Sequence, residues 1–197
     1  FLVGAAAALK TATDNIGFVG GVQVPLIEKF EAGYLAGAKE VNPDIEIQST
    51  YLSQPPDFSG FGDPAKGKTA AEGMFQAGAD IVYHAAGGSG GGVFTAAAEA
   101  GMQAIGVDSD QALTAAPEVQ DVIITSMIKK LDVAVYEFIK AEVEGAFEGG
   151  AVEFDLAQGG VDYSTTGGKI DDITDQLDEL KQRIIDGEIE VPTPPGG

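Results

Sequence analysis

The sequence predicts an α/β protein built on an open parallel sheet flanked by helices. Short apolar runs alternate with amphipathic stretches, and the connections between them are short. The runs read as continuously apolar, the pattern of strands covered on both faces. With 197 residues, 44% of them hydrophobic, the chain is long enough to bury a real core.

Phe1–Leu9 is apolar and Ala-rich, and Lys10 follows it directly. It lacks the basic leader of a signal peptide, so it reads as the last turns of a packed helix. A domain that opens this abruptly leads us to expect further protein before it. Residues 15–21 form a buried strand ending in Gly20-Gly21. The following helix carries Ile27, Phe30, Tyr34, Ala38 and Val41 on one face, and Asn42-Pro43 stops it. Residues 45–52 make a second strand, and 53–62 a loop by composition. Asp63-Pro64 starts a helix, with Asp63 as cap and Pro64 at the first helical position. Residues 80–84 are a third strand, leading through Gly87–Gly92 into a helix that ends near Ala100. Strands follow at 103–107 and 121–125, and a long helix is expected from about Met127 to Phe147. Ala151–Leu156 alternates like an exposed strand. Ile170, Ile173, Leu177, Leu180 and Ile184 mark an amphipathic helix ended by Gly187, and Val191–Gly197 is a Pro/Gly tail.

Composition removes several function classes. Eleven basic against 31 acidic residues give a net charge of −20. Residues 131–197 are the more acidic part, with 16 acidic and four basic groups. Nucleic acids and anionic membranes need a basic face to displace counterions, so neither is a partner. No stretch reaches the about 20 apolar residues of a membrane span. With no Cys and one His, disulfides, thiol nucleophiles, Cys-built zinc sites and His-cluster chemistry are excluded.

In such sheets ligands bind beyond the carboxyl ends of the strands, so the candidates lie in the loops there. Phe61 is an aromatic in a polar loop, either satellite core or a stacking surface for a flat ligand. Gly87 and Gly88 sit in a strand-to-helix turn that either is merely tight or admits close backbone approach of a ligand. Asp108 and Asp110 read as a cap and a turn residue, or as carboxylates accepting from neighbouring sugar hydroxyls. Lys129 and Lys130 open the expected long helix against its dipole, which points to a role other than helix stability. His84 reads as a hydrogen-bonded structural residue. Gly62–Thr69 matches the phosphate-loop pattern GxxxxGK[ST], and Ala104–Asp108 supplies an apolar strand ending in Asp. A nucleotide hydrolase is therefore an alternative. Against it, a polar loop separates the pattern from the preceding strand, and Pro64 has no N–H for a phosphate.

Six motifs occur in an order that resembles the basic membrane protein family, in particular its PnrA-like purine-nucleoside-binding lipoproteins. They are IGFVGG at Ile16–Gly21, KFEAGY at Lys29–Tyr34, FGDPAKGK at Phe61–Lys68, AAGGSG at Ala85–Gly90, GVDSDQ at Gly106–Gln111 and TSMIKKLD at Thr125–Asp132. GEIEVP at Gly187–Pro192 also fits. The resemblance implies a type I periplasmic-binding-protein fold, two α/β lobes around a cleft, in an extracytoplasmic, lipid-anchored receptor of an ABC importer. It implies no enzyme activity, catalytic residue, metal or cofactor. A purine nucleoside would lie between aromatic rings, one from each lobe. Phe61 would be this lobe's ring, with Phe58 its rival, because Ser53–Gly60 is longer than the family's usual link. The Gly87-Gly88 backbone would approach the ligand. Asp108 would hold ribose hydroxyls, assisted by Lys129 or, one residue on, Lys130. His84 stands where a Gln is common, which implies altered base selection. Residues 1–14 would end the first lobe, 15–126 form the second, and 127–197 return across the hinge. By the same resemblance, the family's first lobe, with its lipid-bearing Cys, would be missing here. Rival readings are a receptor for a sugar or another small metabolite, and a cytoplasmic regulator reusing the fold.

Overall fold

The computed structural model describes residues 1–193; the last four residues of the expected Pro/Gly tail lie outside the described residues. A six-stranded sheet runs in the order β2-β1-β3-β4-β5-β6. Its strands are β1 (Asn15–Val22), β2 (Glu46–Ser53), β3 (Ile81–Ala85), β4 (Gln103–Asp108), β5 (Ile123–Lys129) and β6 (Val161–Tyr163). The helices are α1 (Leu2–Lys10), α2 (Pro25–Val41), α3 (Pro64–Gln76), α4 (Gly90–Ala100), the short α5 (Gln111–Thr114), α6 (Leu131–Val143) and α7 (Thr174–Ile185). The first five strands pair in parallel, as the apolar runs predict.

Both sheet faces are covered. Side chains of α1, α2 and α7 pack on one face around Phe18, Tyr34, Tyr83 and Ile105. Side chains of α3 and α4 pack on the other around Val19, Val82, Val93 and Phe94. The two sets alternate along β1, which is buried throughout. Helices α1 and α2 meet backbone to backbone. A Cβ on Gly4 would lie 2.0 Å from the Tyr34 carbonyl oxygen, and one on Gly37 would lie 1.9 Å from that of Phe1. The pair of glycines lets the Ala5–Ala7 turn sink fully into the core.

The structure departs from the sequence reading in its last third. Strand β5 does not stop at Thr125 but continues to Lys129, because β4 pairs with it as far as Ile128 and β6 pairs antiparallel on its other side, Met127 opposite Tyr163 and Lys129 opposite Val161. Lys129 therefore ends a strand instead of opening a helix, and Lys130 is the residue just before α6. The sheet is parallel except at this edge. Helix α6 stops at Val143, where Gly145 at φ +69° turns the chain out of the helix. Ala151–Leu156 forms no strand. The C-terminal helix starts at Thr174, after a single 3-10 turn over Asp171–Ile173. Ile170, Ile173, Leu177 and Leu180 nevertheless bury the face that their spacing predicts. Thus α1, β6 and α7 all join the core of residues 15–129. Helix α6 buries none of its residues, and Leu131, Val135, Phe138, Ile139 and Val143 all face solvent.

Candidate functional site

The carboxyl ends of β1, β3, β4 and β5 lie side by side along one sheet edge, spaced about 4.8 Å per strand. Beyond β2, the loop returns over the tip of β1 through a 3-10 turn at Ser59–Phe61. The Phe61 ring rests on Gly21, where a Cβ would meet its Cδ1 at 2.4 Å. Gly20 likewise leaves room for the Tyr51 ring, whose Cδ1 would be 2.6 Å from a Cβ there. The adjacent glycines that end β1 thus seat two different rings. The Phe61 carbonyl oxygen faces the next turn, 3.1 Å from a Cβ built on Gly87 and 3.3 Å from one on Gly88. Gly87 also takes φ +54°, the left-handed region open to glycine. Phe61, Gly87 and Gly88 therefore come together. Phe58 does not join them and is 57% exposed.

The other two predicted residues form a second group. Asp108 ends β4 with φ +68°, uncommon for a residue with a Cβ. Gln111 frames this turn: its Oε1 accepts from the Val107 N–H at 2.8 Å, and its own N–H donates to Ser126 Oγ at 3.1 Å. Lys129 Nζ lies 3.0 Å from Asp108 Oδ1 and 4.7 Å from the centroid of the Phe30 ring. The ammonium is thus held between a carboxylate and an aromatic face. Lys130 turns elsewhere. Its Nζ and that of Lys181 each donate to Asp162 at 2.9 Å. Burial pushes the Asp162 carboxyl up, but these two lysines outweigh it and hold the carboxyl below the usual range. Asp110 Oδ2 accepts from Thr166 Oγ1.

His84 does not reach this edge. It is fully buried, its ring edge-on to Phe94 and Nε2 3.0 Å from Gln111 Oε1. A Cβ on Gly90 would lie 2.0 Å from its Cε1, so the helix backbone roofs the ring. His84 is thus the hydrogen-bonded structural residue that the sequence predicts, with its ring sealed from direct contact with a ligand. Burial lowers its pKa from 6.5 to about 4, against the hydrogen bond that Gln111 Oε1 accepts from it, which acts the other way. The unfolded chain then binds a proton between those values that the folded chain refuses, so stability falls as pH drops from about 6.5 towards 4. His84→Gln is expected to flatten that slope. Urea midpoints of both proteins across this range check it; parallel curves would show that His84 carries none of the dependence.

The phosphate-loop pattern is built as something else. Asp63 Oδ1 accepts from the Lys66 N–H at 3.0 Å, and α3 begins at Pro64. Gly67 lies inside that helix, where a Cβ would meet the Ser89 carbonyl oxygen at 2.1 Å. Lys68 Nζ is 2.7 Å from Glu99 and 3.7 Å from Glu72. A packed helix with its lysine neutralised by two carboxylates is no cradle of free N–H groups.

Among the described residues, no three His, Cys, Asp or Glu side chains group to hold a metal ion, and no helix is long and apolar enough to cross a membrane. Two concavities lie apart from Phe61, Asp108 and Lys129. One of about 310 Å³ runs between Phe1–Val3, Leu156 and Ile184. The other, about 580 Å³, lies over Gly91, Thr95 and Glu118 and shares Gly87, Gly88 and Gln111 with the site.

The ring, the glycine turn and the acid–base pair thus stand past the strand ends of a parallel sheet flanked by helices, where ligands bind in such folds. Residues 1–194 match the model of the Bmp family, described as ABC transporter substrate-binding protein PnrA-like, and the chain belongs to that family. Its relatives include the CD4+ T-cell-stimulating antigen of Listeria monocytogenes, 38% identical over 99% of this chain and 57% of that protein. The ABC transporter nucleoside-binding protein BmpA of Lactococcus lactis is 38% identical over 98% of this chain and 57% of its own length. A solved solute-binding protein of an ABC transporter system from Aeropyrum pernix is 33% identical with a TM-score of 0.78, covering 98% of this chain and 63% of that one. The chain thus spans a little over half the length of these relatives. The family consists of solute-binding proteins of ABC importers, which work outside the cytoplasm.

The sequence reading missed Phe30, Ser89 and Gln111 as parts of this edge. Phe30 was legible only as a core-facing helix residue, and Ser89 only as a break in a glycine pattern.

Proposed function

We propose that this chain is the second lobe of an extracytoplasmic purine-nucleoside receptor that serves an ABC permease. Phe61, Gly87, Gly88, Asp108 and Lys129 form its half of the ligand site. It binds and does not catalyse, and it uses no metal or cofactor. The observation that carries the reading is a seated ring and an ion-paired carboxylate on one sheet edge. The name of the Lactococcus relative, a nucleoside-binding protein, supports the choice of nucleoside.

The chemistry divides along the edge. Phe61 offers a flat apolar face to a purine, and the glycine turn lets the ligand approach the backbone. Asp108 accepts hydrogen bonds from two vicinal ribose hydroxyls, each bond to a charged group worth about 1.5–3 kcal/mol. Lys129 holds that carboxylate in place while Phe30 supports the ammonium from below. The other lobe brings the second ring, closes about the hinge and presents the closed form to the permease. The apolar face of α6 docks on that lobe, and the chain crosses the hinge within residues 127–197. A lipid-bearing Cys upstream anchors the whole receptor.

Asp108→Ala in a protein carrying both lobes is expected to weaken inosine binding tenfold or more, about 1.4 kcal/mol. Asp108→Asn is expected to lose less, since it keeps one acceptor oxygen. Titration calorimetry with inosine, adenosine, ribose and glucose checks both variants. Unchanged inosine titrations would reject Asp108 as a ligand contact. Heat with glucose or ribose alone would make the protein a sugar receptor.

A further inference from the structure

The residues flanking Phe61 are tied to the glycine turn by one buried hydroxyl. Ser89 is fully buried. Its Oγ donates to the Gly60 carbonyl oxygen at 2.7 Å and accepts from the Asp63 N–H at 2.8 Å. The two bonds grip the chain one residue before and two residues after Phe61. They reach from the start of α4 across to the loop that leads into α3, nearly thirty residues away in sequence. Ser53 adds a weaker tie from the other side, its Oγ accepting from the Gly60 N–H at 3.1 Å and donating to the Asp57 carbonyl at 2.7 Å. Gly60 itself fits against Gly21, where a Cβ would lie 2.0 Å from the Gly21 carbonyl oxygen. The backbone around the ring is therefore fixed by hydrogen bonds and close contact, although the loop is polar and largely exposed.

We infer that Ser89 is a positioning residue: its hydroxyl locks the Phe61 ring to the Gly87-Gly88 turn, so the stacking face and the backbone contact engage a ligand as one rigid unit. This rests on the nucleoside reading above for its effect on binding, though not for its geometry. The physical basis is that a ring stacks well only in one orientation, and a hydroxyl satisfying two buried backbone groups removes the loop's freedom to leave it. Without the hydroxyl, the Gly60 C=O and Asp63 N–H lose their partner and the loop moves to reach water.

Two experiments test it. In the chain itself, Ser89→Ala is expected to speed hydrogen exchange at the Gly60 and Asp63 amides at least tenfold, while the Phe18 and Val82 amides keep their protection. Equal rates at the loop amides would overturn the inference. In a protein carrying both lobes, inosine affinity is measured for wild type, Phe61→Ala, Ser89→Ala and the double variant. Ser89→Ala is expected to cost about tenfold alone and under twofold when Phe61 is already Ala, because the two act through one contact. A loss that persists in the Phe61→Ala background means Ser89 acts on general stability, and the inference falls. A loss in Phe61→Ala with none in Ser89→Ala overturns the inference and leaves the nucleoside reading standing. No loss in Phe61→Ala removes that reading instead. Should Ser89→Ala fail to fold, Ser53→Ala, which loosens the same loop from its exposed side, takes its place with the same expected pattern.

Discussion

Phe61→Ala is expected to lower the affinity of a two-lobed receptor for inosine by ten- to a hundredfold. Stacking a base on an aromatic ring is worth about 1–3 kcal/mol, and each 1.4 kcal/mol is a factor of ten. The ring lies on Gly21 with no Cβ beneath it, so its loss removes a preset face that no neighbour can replace. Phe61→Tyr is expected to keep most of the affinity and Phe61→Leu to keep little, because the flat face matters more than apolar area. Fluorescence competition or calorimetry reads all three. If Leu performs as well as Phe, the contact is ordinary packing and the sandwich is wrong. Phe58→Ala, on the exposed side of the same loop, is expected to change affinity less than twofold.

The largest effect on stability is expected from Gly37→Ala. The new methyl would sit 1.9 Å from the Phe1 carbonyl oxygen and 3.0 Å from the Ala5 nitrogen. Both are backbone atoms and cannot swing aside, so α1 must move and open its Ala5–Ala7 contact. Overpacking typically costs about 1–3 kcal/mol, and a clash with helix backbone belongs at or beyond the upper end. Gly73→Ala is the control. It also lies inside a helix, but its Cβ would meet nothing within 4 Å. It is expected to stabilise by about 0.4–1 kcal/mol through a less flexible unfolded chain. Urea midpoints should move in opposite directions; matching shifts would show that the α1–α2 approach does not govern stability.

Most of the parallel sheet was legible because each strand's apolar run and each helix's spacing are local signals. Asp63-Pro64 even announces the first residue of α3 correctly. The junction of β5 and α6 was not legible, since Met127–Lys129 are extended by pairing with β4 on one side and Val161–Tyr163 on the other. A three-residue strand has too few positions to show a period, and its partner lies more than thirty residues away. The candidate site residues were chosen by their position past strand ends and by resemblance to a family. Ser89, Gln111 and Phe30 escaped because their roles are contacts made across the fold: a hydroxyl reaching Gly60, an amide reaching His84, and a ring under Lys129. His84 was legible as a hydrogen-bonded structural residue because it is a lone His with no partner side chains for catalysis or metal binding, but its partner Gln111 and its packing under Gly90 are contacts across the fold.

The excursion between Lys130 and Gly160 leaves the sheet and comes back to where it left. The Lys130 N–H donates to the Gly160 carbonyl oxygen at 2.9 Å, and the Lys130 ammonium grips Asp162 one strand over. Departure and return are therefore stapled into a neck two chains wide. Whatever α6 is fastened to inherits that narrow tether, and twisting there disturbs one peptide pair and one carboxylate while the six strands behind it stay whole.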